Sequence, residues 1–181
     1  MVSLLRAVNV GSHNQVNMEK LRELHESLGF RNVKTYVQSG NVVFTANVKD
    51  LDKLRMRIEK AIEQTFSLQI DVVLRSAADL EAIVKGNPFA KRTGIEPKSL
   101  VVHFLATEPD AEAREKITQV KVGPEEMHLV GRDLYIHYAA GQGTTKLTPV
   151  LLQRTLKTLG TARNWNTVTK LLEMAKAIEN S

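Results

Sequence analysis

The chain has 181 residues, 43% of them hydrophobic and 25% charged, values typical of a globular protein with a substantial core. It contains no cysteine, which excludes disulfides, thiolate zinc sites and cysteine nucleophiles. No apolar run approaches the roughly 18 residues that a membrane-spanning helix needs, and the first residues lack the apolar core of a signal peptide. We therefore expect a cytoplasmic protein that does not enter a membrane.

The net charge of +5 is concentrated near the C-terminus. There is no carboxylate between Asp133 and Glu173, and this window holds five basic residues, Lys146, Arg154, Lys157, Arg163 and Lys170. The other 20 of the 25 basic residues balance the 20 acidic ones. Such a local positive field favours an anionic partner. A solvated basic face that serves solubility is the simpler interpretation.

The N-terminal part of the chain predicts the order βαββαβ. A helix capped by Asn17 and stopped at Gly29 has apolar residues on one face, and a second helix starts at Asp50 and continues to Phe66. Gln38-Ser39-Gly40 is typical of a hairpin turn. Four short runs rich in β-branched or other apolar residues predict strands, namely Val2–Val8, Val33–Val37, Asn41–Thr45 and Ile70–Leu74.

The same order then repeats after a linking helix over Ala77–Val84, which Asn87-Pro88-Phe89 interrupts. Strands are predicted over Leu100–Ala106, Glu126–Val130, Leu134–Tyr138 and Thr161–Arg163. Helices are predicted over Ala111–Ile117, Leu147–Leu159 and Val168–Ile178, the last capped by Asn166 or Thr167. We therefore predict an α+β fold of two ferredoxin-like (βαββαβ) halves, residues 1–75 and 76–181, with antiparallel sheets and an extra C-terminal helix.

Several segments together resemble a known bacterial family. They are Leu4-Leu5-Arg6-Ala7-Val8-Asn9-Val10-Gly11, Thr35-Tyr36-Val37-Gln38-Ser39-Gly40-Asn41-Val42-Val43-Phe44, Asn87-Pro88-Phe89, Thr145-Lys146-Leu147 and Arg163-Asn164-Trp165-Asn166-Thr167-Val168. The chain is similar, nearly end to end, to the "domain of unknown function 1697" family. This resemblance implies a cytoplasmic two-part α+β protein and no settled activity. Ala7 stands where the family commonly has glycine, and Ser12 stands where a second glycine is usual.

A glycine-containing segment, Gly141-Gln142-Gly143-Thr144-Thr145-Lys146, is predicted to run directly into the helix over Leu147–Leu159. Converging backbone N–H groups, the helix N-terminus and the Lys146 ammonium suit a phosphate or a carboxylate. The spacing is not that of a Walker A loop. Lys146, Arg154 and Lys157 fall within a sector of roughly 80° on an ideal helix. The alternatives are a loop with an ordinary helix cap and a solvated basic face.

Arg6 lies in a predicted central strand, where an unpaired cation is costly. It must therefore reach a polar cleft or form an internal ion pair, and such a pair would join the two halves. Asn9 follows at the end of that strand, and Ser39 and Asn41 lie on the hairpin nearby. These four side chains are candidates for one end of a ligand site.

Arg163, Asn164 and Asn166 supply polar groups around Trp165 just before the last helix. The asparagines are candidates to read a base edge or to order a loop, and Trp165 is a candidate to stack on a ring or to anchor the helix. A further prediction places the rings of His103, Tyr135 and His137 together on one sheet face, with Val102, Phe104 and Ala106 facing the helices. Such a face stacks RNA bases in some modules, or it packs against the other half or a second subunit.

No catalytic motif, metal-ligand spacing or cofactor motif is present, so the sequence does not decide whether the protein is an enzyme. Our leading hypothesis is a protein that binds a phosphate-bearing small molecule or nucleotide in a cleft between the halves. The cleft would be lined by Arg6, Asn9, Ser39, Asn41, Lys146, Arg163, Asn164 and Asn166. The alternatives are a nucleic-acid-binding protein that uses the basic C-terminal region and a structural or oligomeric module without a ligand. The sequence leaves the oligomeric state undetermined.

Overall fold

The structure is a computed structural model that describes residues 1–121 and 123–179, without the side chain of Thr144. The chain divides into two compact units. The first unit contains Met1–Glu81 together with the end of the chain from Lys170, and the second unit contains Ala82–Thr169.

The first unit contains one four-stranded antiparallel sheet, which has the order β2-β3-β1-β4. The strands are β1 (Val2–Leu5), β2 (Arg31–Tyr36), β3 (Asn41–Thr45) and β4 (Val72–Arg75), and the helices are α1 (Met18–Ser27) and α2 (Leu51–Phe66). The predicted helix starts are confirmed, because the side chains of Asn17 and Asp50 accept hydrogen bonds from the backbone N–H groups of Lys20 and Lys53.

The core of the first unit forms where one face of this sheet meets the apolar stripes of α1 and α2. Alternate strand residues point to that face, and every third or fourth helix residue points back at it. The buried side chains include Leu5, Val42, Phe44, Val72, Leu21, Leu24, Leu54, Ile58 and Ile62.

The second unit repeats the arrangement with a sheet of the order β6-β7-β5-β8. Its strands are β5 (Leu100–Leu105), β6 (Glu126–Val130), β7 (Asp133–His137) and β8 (Gly160–Asn164). Its helices are α4 (Ala111–Gln119) and α5 (Pro149–Leu156). Two more helices, α3 (Ala77–Lys85) and α6 (Trp165–Glu179), contain the points at which the chain passes from one unit to the other. The predicted α+β class with two four-stranded antiparallel sheets is confirmed. Among the described residues, no helix has the length and apolar character to cross a membrane.

Two predicted helix starts are wrong. Helix α5 begins at Pro149 and not at Leu147, because the Thr148 side chain caps it by accepting a hydrogen bond from the N–H of Leu151 at 3.2 Å. Helix α6 begins at Trp165, and the residue before it, Asn164, accepts a hydrogen bond from the N–H of Thr167 at 3.0 Å. Asn166 and Thr167 therefore lie inside the first turn of α6 and do not cap it.

Candidate functional site

Arg6 follows β1 and forms an ion pair inside the first unit. Its Nη1 lies 3.1 Å from Oδ2 of Asp71, and its backbone N–H donates to the Asp71 carbonyl at 3.0 Å. The Arg6 side chain is 29% exposed and that of Asp71 is 46% exposed. The predicted ion pair exists, but the partner belongs to the same half as Arg6. That an ion pair of Arg6 joins the two halves stays a prediction.

Asn9 ties the loop after β1 to the β2–β3 hairpin. Its Nδ2 donates to the carbonyls of Val16 at 3.0 Å and Gln38 at 2.8 Å, and its Oδ1 accepts from the N–H of Val16 at 2.8 Å. Asn41 is fully buried and donates to the Tyr36 carbonyl at 3.0 Å. Ser39 is half-buried within the hairpin turn. The structure thus brings these predicted residues together, and the amides of Asn9 and Asn41 hold backbone in place.

The loop and the hairpin contain several residues in the left-handed region. Ala7, Asn9 and Asn14 have φ values of 51°, 54° and 46°, and Val37 has a φ of 48°. Left-handed backbone is unfavourable for residues that carry a Cβ, most of all for a β-branched residue such as valine. A glycine at position 7, which is usual in the family that the sequence resembles, would therefore fit this backbone with less strain than Ala7 does.

Of the predicted residues in the second unit, Arg163 is the most enclosed. It lies on β8 with 7% exposure, and its Nη1 donates to Oγ1 of Thr161 and to the Ala162 carbonyl, both at 2.8 Å. Burial lowers the pKa of its guanidinium to about 10. Asn166 and Lys146 are exposed, and Asn164 is half-buried. That all eight candidates line one ligand site stays a prediction.

The basic window is acid-free along the sequence but not in space. Lys157 forms ion pairs with Asp110 at 3.4 Å and with Glu112, which belong to the start of α4. Lys170 lies 2.7 Å from Glu173. Helix α5 ends at Leu156, with Lys157 in the left-handed conformation that stops it, and Lys146 precedes its start. The predicted cationic face on one helix is therefore wrong, because only Arg154 of its three residues lies in α5.

The predicted ring cluster is also wrong. His103 is paired across the sheet with Leu134, so it lies on the face of β5 and β7 that carries Val101 and Leu105 toward the helices. Tyr135 and His137 share the opposite face, together with Val102. The antiparallel register decides which residues of neighbouring strands lie side by side. The prediction placed His103 on the sheet face that Val102 occupies.

The first segment of this unit, residues 82–99, covers the face that carries Tyr135 and His137. Tyr135 is 1% exposed, and its hydroxyl donates to the Ile83 carbonyl at 2.8 Å. The Phe89 ring lies 5.9 Å from that of His137 and 5.1 Å from that of His128. This face is therefore buried within the unit.

Cavities open on the described part of the second unit at several places. One of about 500 Å³ lies beside Arg154 and Thr158 near the end of α5. Another of about 340 Å³ lies between α4 and β6, beside Ile117 and Met127. The third, of about 620 Å³, lies beside Gly141, and we call it the Gly141 cavity. None of the eight predicted ligand residues lines any of these three cavities.

The Gly141 cavity is lined by two segments that meet where β5 begins and β7 ends. The segment before β5 contributes Gly94, Glu96, Lys98 and Ser99. The end of β7 and the following loop contribute His137, Tyr138, Ala139, Gly141 and Gln142. The N–H of Tyr138 donates to the Ser99 carbonyl at 2.9 Å, which holds the two segments together.

Part of the predicted anion-binding segment therefore borders a cavity, although not in the predicted form. Gly141 has a φ of 83° and is followed by a 3₁₀ turn over Gln142–Thr144. The Thr145 side chain accepts from the N–H of Leu147 at 3.0 Å, so four further residues separate the turn from α5. The prediction that this segment runs directly into the helix is wrong.

Charges of both signs surround the Gly141 cavity. Lys98 Nζ lies 2.9 Å from Oε2 of Glu96, and this contact raises the pKa of Lys98 and lowers that of Glu96. Burial, and secondarily the charge of Glu125, raises the pKa of Tyr138 to about 12. A lining with carboxylate, ammonium, imidazole, hydroxyl and amide groups suits a ligand that carries both hydroxyls and an anionic group.

His137 is held in this cavity wall by a short chain of polar contacts. Its Nδ1 lies 3.5 Å from Oε1 of Glu126, and Oε2 of Glu126 accepts from Nη1 of Arg92 at 2.6 Å. The Arg92 guanidinium lies over the Phe89 ring, 5.6 Å from its centroid. Arg92, foremost, and His137 lower the pKa of the Glu126 carboxyl.

Sequence reasoning missed Lys98, Ser99 and the contact between Glu126 and His137. A signal for the contact exists, because a two-residue turn at Gly131 and Arg132 sets a register that pairs Glu126 with His137. Lys98 and Ser99 carried no comparable signal, since they lie in an irregular segment whose position depends on the Asn87-Pro88-Phe89 bend.

Comparison with known proteins agrees with the resemblance drawn from the motifs. A family model described as "Protein of unknown function (DUF1697)" matches residues 1–135, about three quarters of the chain. The chain belongs to this family. Members of the DUF1697 family have no activity assigned by that description. No curated protein matches the sequence.

A conserved bacterial protein from Streptococcus pneumoniae has a similar structure. It shares 22% sequence identity with this DUF1697 member, with a TM-score of 0.75, and the match covers 96% of this chain and 97% of that one. At this level of identity the likeness shows a shared fold.

Proposed function

We propose that this protein binds a phosphate-bearing small molecule or nucleotide in the Gly141 cavity of the second unit. The observation that carries the proposal is a cavity of about 620 Å³, a size typical of small-molecule sites, bordered by Gly141 and Gln142. These residues belong to the segment that the sequence marks as an anion-binding candidate.

The chemistry of the lining supports a sugar phosphate or nucleotide over a simple anion. Lys98 can donate to a phosphate, because its ion pair with Glu96 is exposed to solvent and exchanges easily. The Glu96 carboxylate and the Gln142 amide can accept hydrogen bonds from sugar hydroxyls. A purely anionic ligand would make no use of these acceptors.

A thermal-shift screen against sugar phosphates and nucleotides tests the proposal. A ligand present at 100 times its Kd stabilises the folded protein by about 2.7 kcal/mol, which produces a measurable rise in Tm. Binding should disappear in Ala139→Trp, which fills the cavity, because Ala139 is exposed and lines it.

Ala140→Trp is the matched control, since Ala140 is the next residue, equally exposed, and does not line the cavity. Loss of binding in Ala139→Trp alone supports the site. No Tm shift with any compound, or the same binding in both variants, contradicts it.

A further inference from the structure

His137 combines three properties that bear on ligand binding. It is 9% exposed, it lines the Gly141 cavity, and one of its two ring nitrogens is held by a carboxylate. Its other nitrogen, Nε2, has no hydrogen-bond partner within residues 1–121 and 123–179. Nε2 is not among the buried side-chain atoms that lack a partner, so it is accessible at the cavity wall, where an atom of a ligand can reach it.

The contact with Glu126 decides which ring nitrogen is the acceptor. A carboxylate accepts a hydrogen bond, so Nδ1 of the neutral imidazole carries the proton and Nε2 carries the lone pair. Arg92 fixes the Glu126 carboxylate from the other side, and Phe89 packs against the imidazole ring. The ring is thereby oriented before any ligand arrives.

We propose that Nε2 of His137 accepts a hydrogen bond from a hydroxyl group of the bound molecule, and that Glu126 is the positioning residue for this contact. The ligand class is therefore a sugar phosphate or a nucleotide with a free ribose hydroxyl. This inference rests on the proposed function, because it assigns a part of the same ligand to a particular wall of the Gly141 cavity.

The test compares two probes that share a phosphate and differ in hydroxyl groups, ribose 5-phosphate and methyl phosphate. Replacing the imidazole in His137→Phe keeps a ring against Phe89 but removes Nε2. One neutral hydrogen bond corresponds to about a fivefold to tenfold change in affinity. We expect ribose 5-phosphate to bind that much more weakly to His137→Phe, while its affinity for methyl phosphate stays unchanged.

His128→Phe is the matched control. His128 also contacts the Phe89 ring and lies on the neighbouring strand, but it does not line the Gly141 cavity. Its replacement should leave the affinity for both probes unchanged. An equal loss of ribose 5-phosphate binding in His128→Phe and His137→Phe would overturn the inference, because it would indicate a general effect on the fold.

The tautomer of His137 provides a readout that needs no ligand. In ¹⁵N NMR spectra of the full chain, the neutral imidazole should be protonated on Nδ1, and Glu126→Gln should increase the other tautomer. A neutral ring protonated on Nε2 in the unaltered protein would overturn the inference even if the proposed function holds.

The outcomes for the two proposals are distinct. Binding of ribose 5-phosphate that is unaffected by His137→Phe rejects the role of His137 and leaves the cavity as the site. Failure of ribose 5-phosphate and of every compound in the wider screen to bind rejects the proposed function and this inference with it.

Discussion

The two units have sheets of the same strand order, yet each encloses a histidine in a different way. In the first unit His25 is fully buried on α1, its Nδ1 lies 2.8 Å from the Leu21 carbonyl and its Nε2 lies 3.0 Å from Oγ of Ser3. In the second unit Nδ1 of His137 meets the Glu126 carboxylate at a cavity. Both ring nitrogens of His25 have hydrogen-bond partners in the core, whereas Nε2 of His137 has none among the described residues.

The same strand order therefore holds one histidine inside a packed core and the other at the wall of a cavity. His25 is surrounded by the rings of Phe30 and Phe44, with centroids 6.0 Å and 5.4 Å away. A buried serine–histidine contact of this kind has catalytic residue types but no route for a substrate. In the second unit, residues 82–99 cover the sheet face that carries Tyr135 and His137, and the Gly141 cavity lies where this segment reaches β5.

The largest expected effect tests how closely the side chains of the first unit pack around Gly40. Gly40 has a φ of 70°, and a Cβ there would lie 2.6 Å from both Cβ of Leu5 and Cγ2 of Val8. Gly40→Ala should destabilise the protein by about 3 to 4 kcal/mol, the sum of left-handed strain and overpacking. Gly29→Ala, where φ is 80° and no atom lies within 4 Å, should cost only about 1 kcal/mol. Urea denaturation measures both, and equal losses would contradict the close packing.

The second prediction concerns acid stability and the histidine of the first unit. Burial lowers the pKa of His25 from 6.5 to about 4. The unfolded chain therefore binds a proton at a higher pH than the folded protein, so this contribution is present in full above about pH 6.5 and is lost as the pH falls toward 4. Between pH 7.5 and 4.5 it amounts to about 2.5 kcal/mol.

The free energy of unfolding, measured by urea denaturation across this pH range, checks the prediction. His25→Gln should be less stable at pH 7.5 but should show a smaller loss on acidification than the unaltered protein. An unchanged slope with pH in the variant would show that other groups cause the acid sensitivity.

A smaller effect tests the covered sheet face of the second unit. Tyr135→Phe removes the hydroxyl that donates to the Ile83 carbonyl at 2.8 Å and leaves a buried acceptor without its donor. We expect a loss of about 1 to 2 kcal/mol in urea denaturation. Faster amide hydrogen exchange in residues 82–90 should accompany it. A neutral effect would mean that this contact does not hold the covering segment in place.

The smallest effect is a stabilisation in the first unit. Ala7→Gly relieves left-handed strain of about 1 to 2 kcal/mol at a φ of 51° and adds up to about 1 kcal/mol of chain entropy to the unfolded state. The net gain should be about 0.5 kcal/mol, visible as a higher urea midpoint. A destabilised variant would show that the Ala7 methyl group contributes packing that outweighs the strain.

Sequence reasoning predicted the fold well because its signals are local. Alternating apolar runs, the caps Asn17 and Asp50 and the Gln38-Ser39-Gly40 turn each depend on a few neighbouring residues, and all of them appear in the structure. It predicted the candidate site less well. Lys157 appeared unopposed along the sequence, yet Asp110 and Glu112 reach it from 45 or more residues away.

The sequence by itself determined the α+β class, the order of the elements and the membership in the family. Only the tertiary structure decided that His103 faces the helices, that Arg6 pairs with Asp71, and that His137 meets Glu126 beside a cavity. The physical reason is that propensities and caps act over a few residues. Side-chain partners and empty space depend on strand register and on how a distant, irregular segment crosses the sheet.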